Sequence, residues 1–169
     1  MLVRSLRLID RISDAAMAAS MTLALATLAA MLAEVVARYG FGRPLAWSYE
    51  MTGMLNGCMF LAAAAPALRA GTHVTIGTFA DRLPARLRHA ILAVVLGLLF
   101  LPVVALIEWT VIVRAWRALL SGEVDEVSAW RHVLWPYYAG VALALAPFLL
   151  QVAAESLRHA AAAADRAGR

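Results

Sequence analysis

Two carboxylates carry most of the chemical interest of this sequence. Glu34 and Glu50 stand near the ends of long apolar runs, and an acid at the edge of a bilayer is the residue type that takes up and releases a proton or a cation. Arg38 follows Glu34 by four residues, so on a helix the two share a face and partly neutralise each other. A structural ion pair is therefore preferred there over ion carriage. The histidines, His73, His89, His132 and His159, all lie at the ends of apolar runs or in loops. A membrane haem needs histidines facing each other within helices, so none is expected, and His73, beside Gly71 and Thr72, reads as a capping or subunit-contact residue. A single cysteine, Cys58, excludes an internal disulfide and a cysteine metal cage, and reads as a small packing residue. There is no nucleophile–base pairing, phosphate-binding glycine loop, metal cluster or dinucleotide motif, so neither enzyme activity nor a cofactor is expected.

The elements that must position these residues are membrane spans. Of 169 residues, 63% are hydrophobic and only 15% charged, the charges are gathered between apolar runs, and the mean hydropathy is +0.77. That is well above an ordinary soluble domain. All 15 basic residues are arginine, and in a membrane chain a net charge of +4 serves topology and lipid headgroups, not nucleic acid.

The fold class expected is all-α, one polytopic domain of four transmembrane helices over residues 15–37, 48–68, 89–112 and 135–155. Residues 1–14 place Arg4, Arg7 and Arg11 on one side of a helix and Leu2, Leu6 and Ile9 on the other, an interfacial amphipathic arm suited to anionic lipid or the polar cytoplasmic extension of the first span. The uncharged run from Ala15 to Ala33 is 19 residues long, longer than a signal-peptide core of roughly 7–15, so an uncleaved first span is expected. Gly40, Gly42 and Pro44 form a short turn, which makes the first two spans an antiparallel hairpin. The third span continues as helix to about residue 120, with Pro102 as a place to bend and Glu108 expected to pair with Arg114 or a neighbour. An acidic loop follows, Pro136 suits the first turn of the fourth span, and residues 156–169 form an alanine-rich tail.

The stretch from Trp47 to Pro84 organises the rest. Met51–Leu68 is 18 residues without a charge, enough to cross most of a hydrocarbon core of about 30 Å. Glu50 with Trp47 stands at its entrance, and Arg69 at its exit. Gly53 and Gly57, with Asn56 between them, make a small-residue face that docks another helix or packs inside this chain.

Here a family resemblance enters. The run RYGFGRPLAWSYE, the apolar span, and ALRAGTHVTIGTFADRLPARLR resemble the DctQ-like small membrane subunit of tripartite ATP-independent periplasmic (TRAP) transporters. The matching positions are Trp47, Glu50, Arg69, Gly71, His73, Asp81, Leu83 and Pro84, and Tyr49 stands where many members carry a second acid beside Glu50. The resemblance implies a non-catalytic scaffold that holds a large membrane subunit. The complete system would take up an organic acid delivered by a periplasmic solute-binding protein, driven by an ion gradient across a bacterial inner membrane. Trp47, Glu50, Arg69, His73 and Asp81 are then expected to fix span two and its exit loop against the partner.

With four spans, ten arginines fall on the side of the termini and the loop after span two, and five on the other. The positive-inside bias places both termini in the cytoplasm. Trp47, Trp109, Trp116, Trp130 and Trp135 all fall on the opposite side, as interfacial anchors. The alternative from another class is a self-sufficient homodimeric exporter with Glu34 or Glu50 as its exchangeable acid.

Overall fold

The computed structural model describes residues 2–71, 84–128 and 130–165. Among the described residues the chain is helical between its turns, with one isolated antiparallel bridge between Val124 and Val133. Helix α1 runs Leu2–Val35 and continues through a π-helical turn, Val36–Gly40. No proline or glycine interrupts residues 2–39, so nothing stops the helix before Gly40. Residues 2–14 are thus the first turns of the same helix, continuous with span one.

Helix α2 is Ser48–Arg69. The third span consists of α3 (Ala85–Val94), a π-helical turn (Val95–Phe100) and α4 (Leu101–Ser121). Pro102 donates no hydrogen bond and its ring crowds the carbonyl of Leu98, so the turn ahead of it widens. Gly122 ends α4 at φ 63°, a left-handed cap that glycine adopts without strain. Helix α5 is Trp135–Asp165, so the residues expected as a tail prolong the fourth helix to residue 165.

Four helical stretches are long and apolar enough to cross a membrane, and the third, Ala85–Ser121, has 37 residues. At 1.5 Å per residue that is about 55 Å, far more than the roughly 30 Å of hydrocarbon, so this helix tilts or projects beyond the core.

Burial follows the rule of lipid, not of water. The exposed residues include Leu25, Leu98, Leu106 and Leu120, whereas Ser13, Ser20, Ser48, Glu108 and Gln151 are buried. Along α1, Ser13, Ala16 and Ser20 are buried at spacings of three and four, and Ala30 is buried further along, so small side chains let α2 and α5 approach closely. Helix α5 is the hub, packing against α1, α2, α3 and α4, while α1 packs on α2. A cluster of buried apolar residues, Ala65, Val104, Leu145, Phe148 and Val152, joins α2, α4 and α5.

Candidate functional site

The terminal end of the bundle holds a polar clasp among α1, α2 and α5. Arg158 Nη2 donates to both carboxylate oxygens of Asp10, at 2.7 and 2.8 Å, and Nη1 of the same guanidinium donates to Glu155. Arg69 Nη1 donates to Asp14 Oδ1 at 2.8 Å and to the Asp10 carbonyl at 3.2 Å, with its Nε 3.5 Å from Asp10 Oδ1. Deeper in, Ser13 Oγ donates to Gln151 Oε1 at 2.8 Å and Gln151 Nε2 donates to Glu155 Oε1 at 2.9 Å. Planar guanidinium forks suit such shared carboxylates. Arg69 is therefore engaged within its own chain, where it ties α2 to α1.

At the loop end, Glu34 is satisfied by Arg38, whose Nε donates at 2.9 Å, and by the Leu45 amide, which donates to Oε2 at 2.8 Å. The i,i+4 pair thus also clamps the turn into α2, where Trp47 sits half-buried beside a buried Ser48. Glu50 Oε1 accepts from Ser128 Oγ at 2.8 Å, while its Oε2 is buried with no hydrogen-bond partner among the described residues. Glu50 so pins the loop between α4 and α5. That loop is closed by Asp125 N–H to the His132 carbonyl at 2.9 Å and Leu134 N–H to the Glu123 carbonyl at 3.0 Å.

The expected Glu108–Arg114 pair does not form. Six residues on a helix turn the side chain by about 240°, so Arg114 faces away from Glu108. It donates to Glu123 Oε1 at 2.9 Å and lies over the Tyr138 ring at 5.5 Å. Glu108 is buried, and its Oε2 has no hydrogen-bond partner among the described residues.

The small-residue face of α2 divides into two. A Cβ on Gly57 would stand 3.5 Å from Tyr137 Oη, so Gly57 packs inside the chain against α5. Gly53 has nothing within 4 Å of its Cβ position. Tyr49, Gly53, Asn56 and Phe60 are all exposed and fall within a sector of about 60° at 100° per residue. The Asn56 side chain makes no hydrogen bond among the described residues, although it lies in the middle of the span.

Arg4, Arg7 and Arg11 are exposed on α1. Trp109 and Trp116 are exposed on α4, and Trp130 and Trp135 are partly exposed around the loop. His73 and Asp81 lie outside the described residues, as do residues 82, 83 and 166–169. His89 and His159, at the terminal end, bring their Nδ1 atoms to 2.9 Å, a pair whose residues stand too far apart in sequence to be matched by spacing. Among the described residues no group of three or more histidine, cysteine, aspartate or glutamate side chains is placed to hold a metal. Ser13 and Gln151 were legible only as polar residues within or beside apolar runs, the signal that marks a buried hydrogen bond in a membrane helix.

The family model described as the DctQ component of tripartite ATP-independent periplasmic transporters matches residues 27–162. No curated protein and no solved structure matches the chain.

Proposed function

Because the chain belongs to the family of DctQ components of tripartite ATP-independent periplasmic transporters, we propose that it is the non-catalytic small permease subunit that braces a large membrane subunit. The system would drive uptake of an organic acid, delivered by a periplasmic solute-binding protein, with an ion gradient across a bacterial inner membrane. The arginine distribution supports both termini in the cytoplasm. The loop end of the bundle, with its tryptophans, then faces the side from which a binding protein approaches.

One observation carries the bracing role. Asn56 presents an unbonded amide at mid-span on an open face, beside a glycine with nothing within 4 Å of its Cβ position. In hydrocarbon a polar group seeks a partner across a helix contact, and glycine lets that helix come close. The face Tyr49–Gly53–Asn56–Phe60 is accordingly the docking stripe. Trp47, Glu50 and Arg69 act behind it by holding α2 in place, and His73 and Asp81 are assigned to the same contact by the family pattern.

The test is co-purification of the large subunit with a tagged chain in mild detergent. Gly53→Leu and Asn56→Leu each are expected to lower recovery of the partner, while leaving the subunit helical and monodisperse, because the Gly53 Cβ position is open and Asn56 is exposed. Full recovery with both substitutions together would overturn the docking assignment. The self-sufficient exporter has no observation in its favour: Glu34 and Glu50 are both hydrogen-bonded within the chain. Transport by the purified chain alone in liposomes would revive it.

A further inference from the structure

A cavity of about 540 Å³ lies between α1, α2 and the start of α5, within the roughly 300–1,000 Å³ typical of small-molecule sites. Its walls change character along the bundle axis. At the depth of mid-span they are Leu23, Leu55 and Cys58; higher up come Met51 and Met54; at the loop end the mouth is formed by Trp130 and Arg131. From residue 58 to residue 51 a helix rises about 10 Å, so the apolar part is a slot directed along the membrane normal. It ends at a cation and an indole at interfacial depth.

Three features of the mouth point to an anion. The Arg131 side chain makes no ion pair or hydrogen bond among the described residues, unlike Arg38, Arg69, Arg114 and Arg158, which all have carboxylate partners. Its backbone is held at φ 48°, a left-handed conformation that a non-glycine residue adopts at a cost and that re-aims its side chain. Trp130, stacked on His132 with ring centroids 4.8 Å apart, supplies the amphipathic ring that favours the headgroup level. Below this mouth, thioether and aliphatic walls adapt to a flexible hydrocarbon chain.

We propose that this cavity binds one phospholipid: an acyl chain fills the slot between α1 and α2, and the phosphate sits on the Arg131 guanidinium. Charge complementarity at the mouth and the mainly apolar walls below it, where Tyr137 and Cys58 supply the polar atoms, fit a lipid better than a protein segment. The slot opens on the face of α2 that carries Met51, Met54 and Cys58, not on the stripe of Gly53 and Asn56, so the proposal stands or falls apart from the docking reading.

The test is native mass spectrometry of the full chain, extracted with its natural partners, delipidated and given phosphatidylglycerol. One tightly held lipid per chain is expected. Arg131→Ala should weaken retention about tenfold, the scale of one charge-assisted contact, and Arg131→Lys should restore most of it. Leu55→Trp fills the slot and should abolish retention while circular dichroism shows an unchanged helix content. The same lipid should slow alkylation of Cys58 by N-ethylmaleimide. Equal lipid retention by the wild type, Arg131→Ala and Leu55→Trp would mean annular lipid only and would overturn the proposal. So would a cross-link from Cys58 to a segment of a partner subunit, which would make the occupant a protein.

Discussion

Ser13 and Gln151 form a hydrogen bond between the first and the last helix, and its removal gives a measurable asymmetry. Both side chains are fully buried, and the amide is oriented by two demands: Oε1 accepts from Ser13 and Nε2 donates to Glu155. Ser13→Ala removes the donor and leaves Oε1 without a partner, and flipping the amide would set its oxygen against a carboxylate. A buried acceptor left alone costs about 1–3 kcal/mol, whereas interhelical hydrogen bonds in membrane proteins average only about 0.6 kcal/mol because the unfolded helices find other partners. With both side chains fully buried, a loss of about 1–2 kcal/mol is expected for Ser13→Ala. Gln151→Leu should cost less, because a serine hydroxyl on a helix can turn to the carbonyl four residues back, as Thr22 and Thr27 do in the same helix. The double variant should resemble Gln151→Leu, giving a coupling of about 1–2 kcal/mol in a cycle. Reversible unfolding by dodecyl sulfate in mixed micelles reads all four proteins. A Ser13→Ala protein as stable as the wild type, or a double variant less stable than Ser13→Ala, would refute this account.

Other outcomes follow from the same packing. Arg158→Ala leaves Asp10 and Glu155 without their shared cation; a fully buried pair would lose about 3–5 kcal/mol, and with the Arg158 side chain 30% exposed and Arg69 still near Asp10, about 2 kcal/mol is expected in the same unfolding assay. Glu108→Gln keeps the shape and removes a buried carboxylate that has an unpartnered oxygen, so it should raise stability by about 1 kcal/mol; a drop would indicate a cation partner supplied by another subunit. Gly97→Ala places a Cβ 2.5 Å from Ser156 Oγ, which must rotate away from the Ala93 carbonyl it donates to. The thermal midpoint should fall by a few degrees, the effect of about 1 kcal/mol, and Ser156→Ala in the same protein should recover most of it. Gly57→Leu should unfold the bundle against Tyr137, in contrast to Gly53→Leu, which should leave unfolding unchanged and affect only partner recovery.

Local periodicity carried far in this chain. Four apolar runs set by charge and glycine punctuation become four membrane-length helices, and the spacing of Glu34 and Arg38 suffices for their pairing. What spacing does not contain is the angle at which helices meet. Asp10 and Arg158 are 148 residues apart, and only the crossing of α1 with α5 brings them together. The same limit applies to Glu108 and Arg114, which share a stretch of sequence but not a helix face. It applies to Gly53 and Gly57 as well: one motif in the sequence, they divide between the outside and the inside because four residues advance a helix by 40° past a full turn. His73 and Asp81, expected from the family pattern, fall outside the described residues.

The place of α5 as hub has a consequence for synthesis. It leaves the ribosome after the other three spans, yet it is the element against which each of them packs. The first two spans can close on each other as soon as both are inserted, but the third makes no extended contact with them among the described residues. At roughly 5–20 residues per second, it waits in lipid as a lone helix until residues 135–165 arrive. A chain cut short before Trp135 would therefore be a hairpin and a stray helix, and membrane quality control would meet each as an orphan.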